Sequence, residues 1–432
     1  MNLQRLALGS ILMVCAALQS GCAGFARGVT EAIIGEPGAK EDTKKCYVRG
    51  RAFVGLEDLM KRQEQAVRST PGDSPVLKVL MVHGIGSHQP GYSTRLAENL
   101  ARSLSLTRVE EHFKEIALTV PRFPNQELGV LRFTRYLNAN GTREMIFAEL
   151  TWDPIVEQEK RTIAFDDSGE YSFRRTPINN TLKLFVNSTV PDVLMYNGTS
   201  RQKIAVSVGQ SLCWLMSNSW GSLPAQSNAY CDGSAPESLD RIGDDYVFIT
   251  HSLGSRITVD ALQFIATTLS DAAKKYPSMT HTLDTLREKE FTVFMLSNQL
   301  PLLQLGQSKP EQTNRIAEFC GPAAPHEKGR IFRETRLIAF SDPNDLFSYA
   351  VPPRFLDEYV DSRICPSLTN VILNVAEVSN VFGNEYANPM SCHTEYDNDR
   401  RVIGLLSGGI GGSGTDPEVA ARCSWLEAIP TK

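Results

Sequence analysis

The stretch Tyr246-Val247-Phe248-Ile249-Thr250-His251-Ser252-Leu253-Gly254-Ser255 decides how this 432-residue chain is read. Tyr246 to Thr250 is an apolar run of the length of a buried strand, and Ile257, Leu262 and Ile265 follow at helical spacing. The strand leads directly through His251-Ser252-Leu253-Gly254 into the helix. A turn that tight strains the backbone at the serine, and the residues two places away must be small for the two elements to pass. Gly254 meets that demand and Thr250 strains it. The helix start also brings amide N–H groups and the positive end of a dipole to Ser252. The plainer alternative is a serine that only caps an ordinary strand–helix junction.

Working outward, Val76 to Val82 is a second short apolar run, ending in the glycine turn His83-Gly84-Ile85-Gly86. A helix should follow, with Ser93 or Thr94 at its N-cap and Leu96, Leu100 and Leu104 on one face. Met145 to Trp152 alternates as a strand. Phe291 to Met295, Arg336 to Ser341 and Val371 to Val378 supply three more strands between helical or loop segments. Strands alternating with helices define an α/β chain with a mostly parallel central sheet covered on both faces. From about 153 to 240 the pattern breaks into helical runs strewn with Asn, Ser, Gly, Trp and Tyr, which is the composition of an insertion, a lid or cap. Its aromatics Phe185, Tyr196, Trp214 and Trp220 either form the insertion's own core or line an acyl pocket. No fixed-period repeat is detectable.

A serine hydroxyl is a poor nucleophile until a base takes its proton, and that base needs an acid to hold its tautomer. Three histidines follow Ser252. His393 lies beyond the last apolar strand, in Met390-Ser391-Cys392-His393-Thr394-Glu395-Tyr396, whereas His281 sits in a polar helical stretch and His326 in a Pro/Gly loop. Ile338-Ala339-Phe340-Ser341-Asp342-Pro343-Asn344-Asp345-Leu346-Phe347 offers two carboxylates. Asp345 has the better reach, and Asp342 before Pro-Asn is turn chemistry.

From Val76 to about Leu406 the chain resembles bacterial esterase/lipase-like members of the α/β-hydrolase superfamily. The resemblance rests on His83-Gly84, on Thr250 to Gly254, on Ser341 to Asp345, and on His393-Thr394 followed by Asn398 and Arg401-Val402. It implies a Ser252 nucleophile, a His393 base and an Asp345 acid, with the backbone N–H groups of Ile85 and Leu253 as the oxyanion hole. The implied activity is hydrolysis of carboxylic esters, lipid or acyl esters among them, through an acyl-enzyme and without cofactor or metal. The same triad serves acyltransferases and amidases, and a tethered scaffold that has lost its chemistry is the alternative from another class. His83 and His88 hint at a metal pair, but no carboxylate cluster in the sequence supports one.

Arg5 precedes an apolar run from Leu6 to Leu18, too short to span a bilayer as a helix, and Leu18-Gln19-Ser20-Gly21-Cys22 resembles a bacterial lipobox. Gln19 stands where a lipobox has an aliphatic residue, and a conventional signal peptide cleaved nearby is the other reading. The expected organisation is a signal peptide over 1–21, lipidation at Cys22, a tether with an amphipathic helix over 22–74, a hydrolase domain over 75–415 and a tail over 416–432. The glycines from Gly404 to Gly414 lack the Lys-Ser/Thr of a phosphate loop and are assigned to a flexible tail. The protein is thus expected to be exported and held at the cell envelope by an acyl anchor, its periplasmic face being the natural side. A net charge of -5 and a pI near 5.9 carry no basic footprint for nucleic acid.

Nine cysteines occur. Cys15 leaves with the signal and Cys22 would be acylated. Among the other seven, Cys213 with Cys231 or Cys365 with Cys392 are plausible bridges, and an odd number leaves a thiol over. Asn140, Asn179, Asn187 and Asn197 head Asn-x-Ser/Thr sequences that would matter only in a eukaryotic secretory route.

Overall fold

The computed structural model describes residues 45–69, 75–109, 113–121, 126–167, 173–232, 243–277, 279–381 and 384–429, with the single residues 169, 239 and 241. The run Leu6 to Leu18 expected as an export signal, Cys15, Cys22 and the chain to residue 44 lie outside the described residues.

In chain order the first half holds β1 (Cys46–Gly50), α1 (Leu56–Ser69), β2 (Leu77–Val82), α2 (Thr94–Ser103), β3 (Thr107–Arg108), β4 (Lys114–Leu118), β5 (Val130–Leu137), β6 (Glu144–Thr151), α3 (Pro154–Ala164), α4 (Pro177–Asn197) and α5 (Arg201–Ser217). The second half continues with β7 (Gln226–Ala229), β8 (Asp245–His251), α6 (Leu253–Lys275), α7 (Met279–Leu286), β9 (Glu290–Leu296), β10 (Glu334–Ser341) and β11 (Pro366–Leu373). A hairpin of β12 (Val378–Val381) and β13 (Asn384–Ala387) then leads to α8 (Pro389–Thr394), α9 (Arg400–Gly408), α10 (Pro417–Arg422) and β14 (Ser424–Leu426).

The chain is an α/β protein on one large sheet, ordered β14-β1-β11-β10-β9-β8-β2-β6-β5-β4-β7. The run from β11 through β10, β9, β8 and β2 to β6 is parallel throughout. These central strands are mostly apolar because both faces are covered. On one face Leu80, Val82, Phe248 and Val293 pack against Leu212 of α5 and Ile257 and Leu262 of α6. On the other, Val79, Met81 and Ile249 pack against Leu56 and Met60 of α1, Leu96 and Leu100 of α2, and Leu405 of α9. The chain leaves β2 toward β6 and returns on the opposite side to β8. That reversal opens a crevice at the carboxyl ends of β2 and β8, where ligands bind in open α/β sheets.

Several boundaries differ from expectation. Of the tether with an amphipathic helix expected over 22–74, the helix is present as α1 with Leu56 and Met60 in the core, while Cys46–Gly50, expected as tether, is a strand that pairs antiparallel with β11. The tail expected over 416–432 supplies α10 and β14, which pairs with β1, and Ile410 of the glycine-rich stretch bonds to Phe53. The insertion of 153–240 is divided: α5 belongs to the sheet-covering layer and β7 extends the sheet beside β4. β11 begins at Pro366 and ends at Leu373, ahead of the expected Val371 to Val378, because its alternating polar residues hide the start. Lys78 interrupts the apolar run of β2, its ammonium paired with Asp244 at 2.8 Å and held down to about 8 by burial.

The cysteine pairing is Cys46–Cys423, Cys213–Cys231 and Cys320–Cys365. Cys213–Cys231 is as expected. Cys365 pairs with Cys320 and not with Cys392, whose thiol is free and buried. The 365–392 separation looked loop-sized, but β11 and the hairpin carry the chain from one end of the sheet to the other between them.

Candidate active site

Ser252 stands between β8 and α6 with φ 55°, ψ −124°, a left-handed backbone rare outside glycine. Its N–H donates to Leu296 O at 2.9 Å, and its C=O accepts from the Ser255 hydroxyl at 2.6 Å. These bonds overdetermine the turn and hold the strain in place. The glycines are there for room. A Cβ on Gly254 would fall 2.3 Å from Val82 O, and one on Gly84 would fall 2.5 Å from Ser252 Cβ. The loop after β2 therefore passes in contact with the serine. Thr250 fits because its side chain is buried and its hydroxyl lies 3.3 Å from Phe294 O.

His393 on α8 reaches the same point. Its Nε2 lies 3.0 Å from Ser252 Oγ, and its Nδ1 lies 2.9 and 3.0 Å from the two carboxylate oxygens of Asp345. Three side chains 48 to 141 residues apart in the chain thus form one hydrogen-bonded line. Asp342 is turned away from it, accepting from the amides of Asn344 and Val375 as a loop brace. His281 and His326 are exposed surface residues.

Burial alone would push the Asp345 carboxyl up. Hydrogen bonds from His393 and Ser297, the imidazole charge and the Phe347 amide outweigh it and hold the group below its ordinary value. Ser297, at the end of β9 with φ 50°, was not singled out from the sequence. Its hydroxyl lies 2.7 Å from Asp345 Oδ2 and 2.8 Å from His393 Nδ1. The available signal was a polar residue ending the apolar strand next to β8. His251, the residue before the serine, donates from Nε2 to His393 O at 2.7 Å and packs edge-on against that ring. Burial pushes His251 down to about 3, so it stays neutral and acts as a backbone brace.

The loop His83 to His88 forms the opposite wall. His83 stacks between His88 and Trp152, and it accepts the Trp152 amide at Nε2, 3.2 Å, while Nδ1 donates to Gly84 O, 2.9 Å. His83, His88 and Asp153 do bring potential ligand atoms within 4.8 Å of one another, a carboxylate partner the sequence did not reveal. The set does not fit a cation, because both nitrogens of His83 are already engaged, which leaves fewer than three ligands. Gly86 N–H donates to Asp192 of α4 at 2.7 Å, which ties the helix over this loop. Among the described residues no hydrogen bond engages the amides of Ile85 or Leu253. Glu149 accepts from the Ser93 amide and hydroxyl, so Ser93 caps α2 through a carboxylate and not by its own oxygen.

A cavity of about 330 Å³ opens against His393, lined by Ile85, His88, Phe185, Leu296, Phe347 and Met390 among others. Its walls are mostly apolar. Of the insertion aromatics, Phe185 faces this cavity, while Tyr196 and Trp220 are core and Trp214 packs against it. Ser252 itself is 0% exposed.

No family model, curated protein or solved structure matches this chain.

Proposed function

We propose that the chain is a serine hydrolase of the α/β-hydrolase fold that cleaves carboxylic esters through an acyl-enzyme. The observation that carries the reading is the 3.0 Å approach of His393 Nε2 to Ser252 Oγ, with Asp345 on the far side of the ring. Ser252 Oγ attacks the ester carbonyl carbon as His393 Nε2 takes its proton. Asp345 holds Nδ1–H and stabilises the imidazolium. The carbonyl oxygen becomes an anion beside the amides of Ile85 and Leu253, at the N-terminus of α6, where fixed dipoles favour it. Nε2 then gives the proton to the departing alkoxide. Water enters by the same base and releases the acid.

An apolar cavity favours an acyl or lipid ester over a charged substrate. Export and acylation at Cys22 complete the reading, with no cofactor or metal in the reaction.

Complete burial of Ser252 is the observation that favours an inactive scaffold, since a substrate has to reach a hydroxyl with no exposed surface. A fluorophosphonate probe decides between them. The hydrolase reading requires covalent labelling at Ser252 that is lost in Ser252→Ala, together with loss of p-nitrophenyl ester hydrolysis. An unlabelled parent protein, or a Ser252→Ala variant that still turns over ester, removes the assignment.

A further inference from the structure

Helix α4 carries Ile178, Leu182, Val186, Val190 and Leu194 at four-residue spacing, and all five are exposed, Ile178 at 72% and Leu194 at 66%. Phe173 just before the helix is 77% exposed and Phe165 at the end of the preceding segment 63%. Over the 21 residues of α4 the only charged side chains are Lys183, exposed, and Asp192, fully buried against Gly86 and Lys160. Solvated helices carry charge outward; this one carries aliphatic side chains, and a continuous apolar surface of that kind marks a contact.

The position of the chain's entry into the fold says what the contact is with. Cys46 pairs with Leu373 at the carboxyl end of β11, and Lys45 O accepts from Asn374 N and from Arg401 Nη1 there. The polypeptide therefore enters the sheet at the edge from which Ser252 and Asp345 emerge and over which α4 lies. Between Cys22 and Lys45 the chain can span at most about 80 Å. A body held at that edge by the proposed Cys22 anchor can bring the α4 stripe, which lies over the same edge, against the surface that holds the tether.

We propose that the α4 stripe is a bilayer-docking surface. It seats the aliphatic row and Phe173 in the interfacial layer of the membrane with the cavity mouth facing the lipid. Phe185 and Thr189 on the inner side of the same helix line the cavity, so docking places the lipid phase next to the site. For its occupant the inference rests on the proposed anchor at Cys22 and for its purpose on the ester-hydrolase reading; the docking itself needs no chemistry.

The test uses the chain from residue 22 onward with Cys22→Ser, so that neither the export segment nor an acyl chain contributes. All elements of the described structure lie C-terminal to residue 44 and are retained. Co-sedimentation with phosphatidylethanolamine/phosphatidylglycerol vesicles should show binding, and Ile178→Ser/Leu182→Ser/Leu194→Ser should weaken it at least about tenfold. A Val186→Cys variant labelled with an environment-sensitive fluorophore should shift to the blue on adding vesicles, a readout independent of the triple variant's folding. A parent that stays in the supernatant, equal binding by parent and triple variant, or an unshifted fluorophore overturns the proposal. So does a parent that dimerises through the stripe, by sedimentation velocity, without binding vesicles. Fluorophosphonate labelling of the same samples is scored separately: its absence counts against the hydrolase reading and leaves the vesicle result standing.

Discussion

The hydroxyl of Ser297 donates to Asp345 Oδ2 at 2.7 Å and stands 2.8 Å from His393 Nδ1. It is a fourth polar group on the line that joins Asp345 to His393. A hydrogen bond to a charged group contributes about 1.5–3 kcal/mol. On the hydrolase reading, Ser297→Ala should therefore lower kcat on a chromogenic ester about tenfold or more with KM little changed, and the thermal midpoint should fall with the lost bond. Because the Asp345 carboxyl loses a donor, the acid-side loss of activity should move to higher pH. An unchanged pH profile would show that Ser297 only fills space.

Asp153 predicts a pH dependence of stability. Burial first, with Asp192 and Glu157 adding to it, raises its carboxyl to about 7 against the pull of the His88 amide and Lys160. A carboxyl with a raised folded-state value adds stability that is complete below the ordinary value of about 3.9 and lost as pH rises through the folded value. Its Oδ1 is also buried without a hydrogen-bond partner. In denaturant titrations the parent should weaken between pH 5 and pH 8, and Asp153→Asn should flatten that slope and be more stable by roughly 1–2 kcal/mol at pH 8. Parallel curves for the two proteins would remove this account.

Gly254→Ala drives a methyl onto backbone, 2.3 Å from Val82 O and 2.7 Å from His83 O. Neither atom is a flexible side-chain end that can retreat. The variant should lose about 3 kcal/mol or more. Gly412, where an added Cβ meets nothing within 4 Å, is the control and should change by less than about 0.5 kcal/mol. Equal melting curves for the two variants would contradict the close approach of β2 to α6.

Cys46–Cys423 joins β1 to the chain just before β14 across 377 residues. Replacing both by Ala should cost about 2–5 kcal/mol in unfolding titrations, with hydrogen exchange quickening first in β1 and β14. Uniform exchange through the sheet would show that the bridge does not secure these two strands.

Local pattern sufficed for the central part of the molecule. The apolar runs of β2, β8, β9 and β10, the glycine turns after β2 and around Ser252, and the order serine, acid, histidine are properties of short segments. Ser252, Asp345 and His393 converge as the sequence suggested, and Asp342 serves the turn. The edges of the sheet were not legible. β1, β14 and β7 are short and half polar, and the partners that make them strands lie far away in the chain.

What the sequence alone determined was the α/β architecture and the identity of three chemically suited side chains, because periodicity and turn chemistry act over a few residues. Only the tertiary structure decided that Ser297 and His251 brace His393, that Cys320 and not Cys392 meets Cys365, and that the chain enters beside the sheet edge that carries Ser252. Those outcomes are set by sheet order and register, which arise from burying two layers of helices at once and leave no mark in any short stretch of residues.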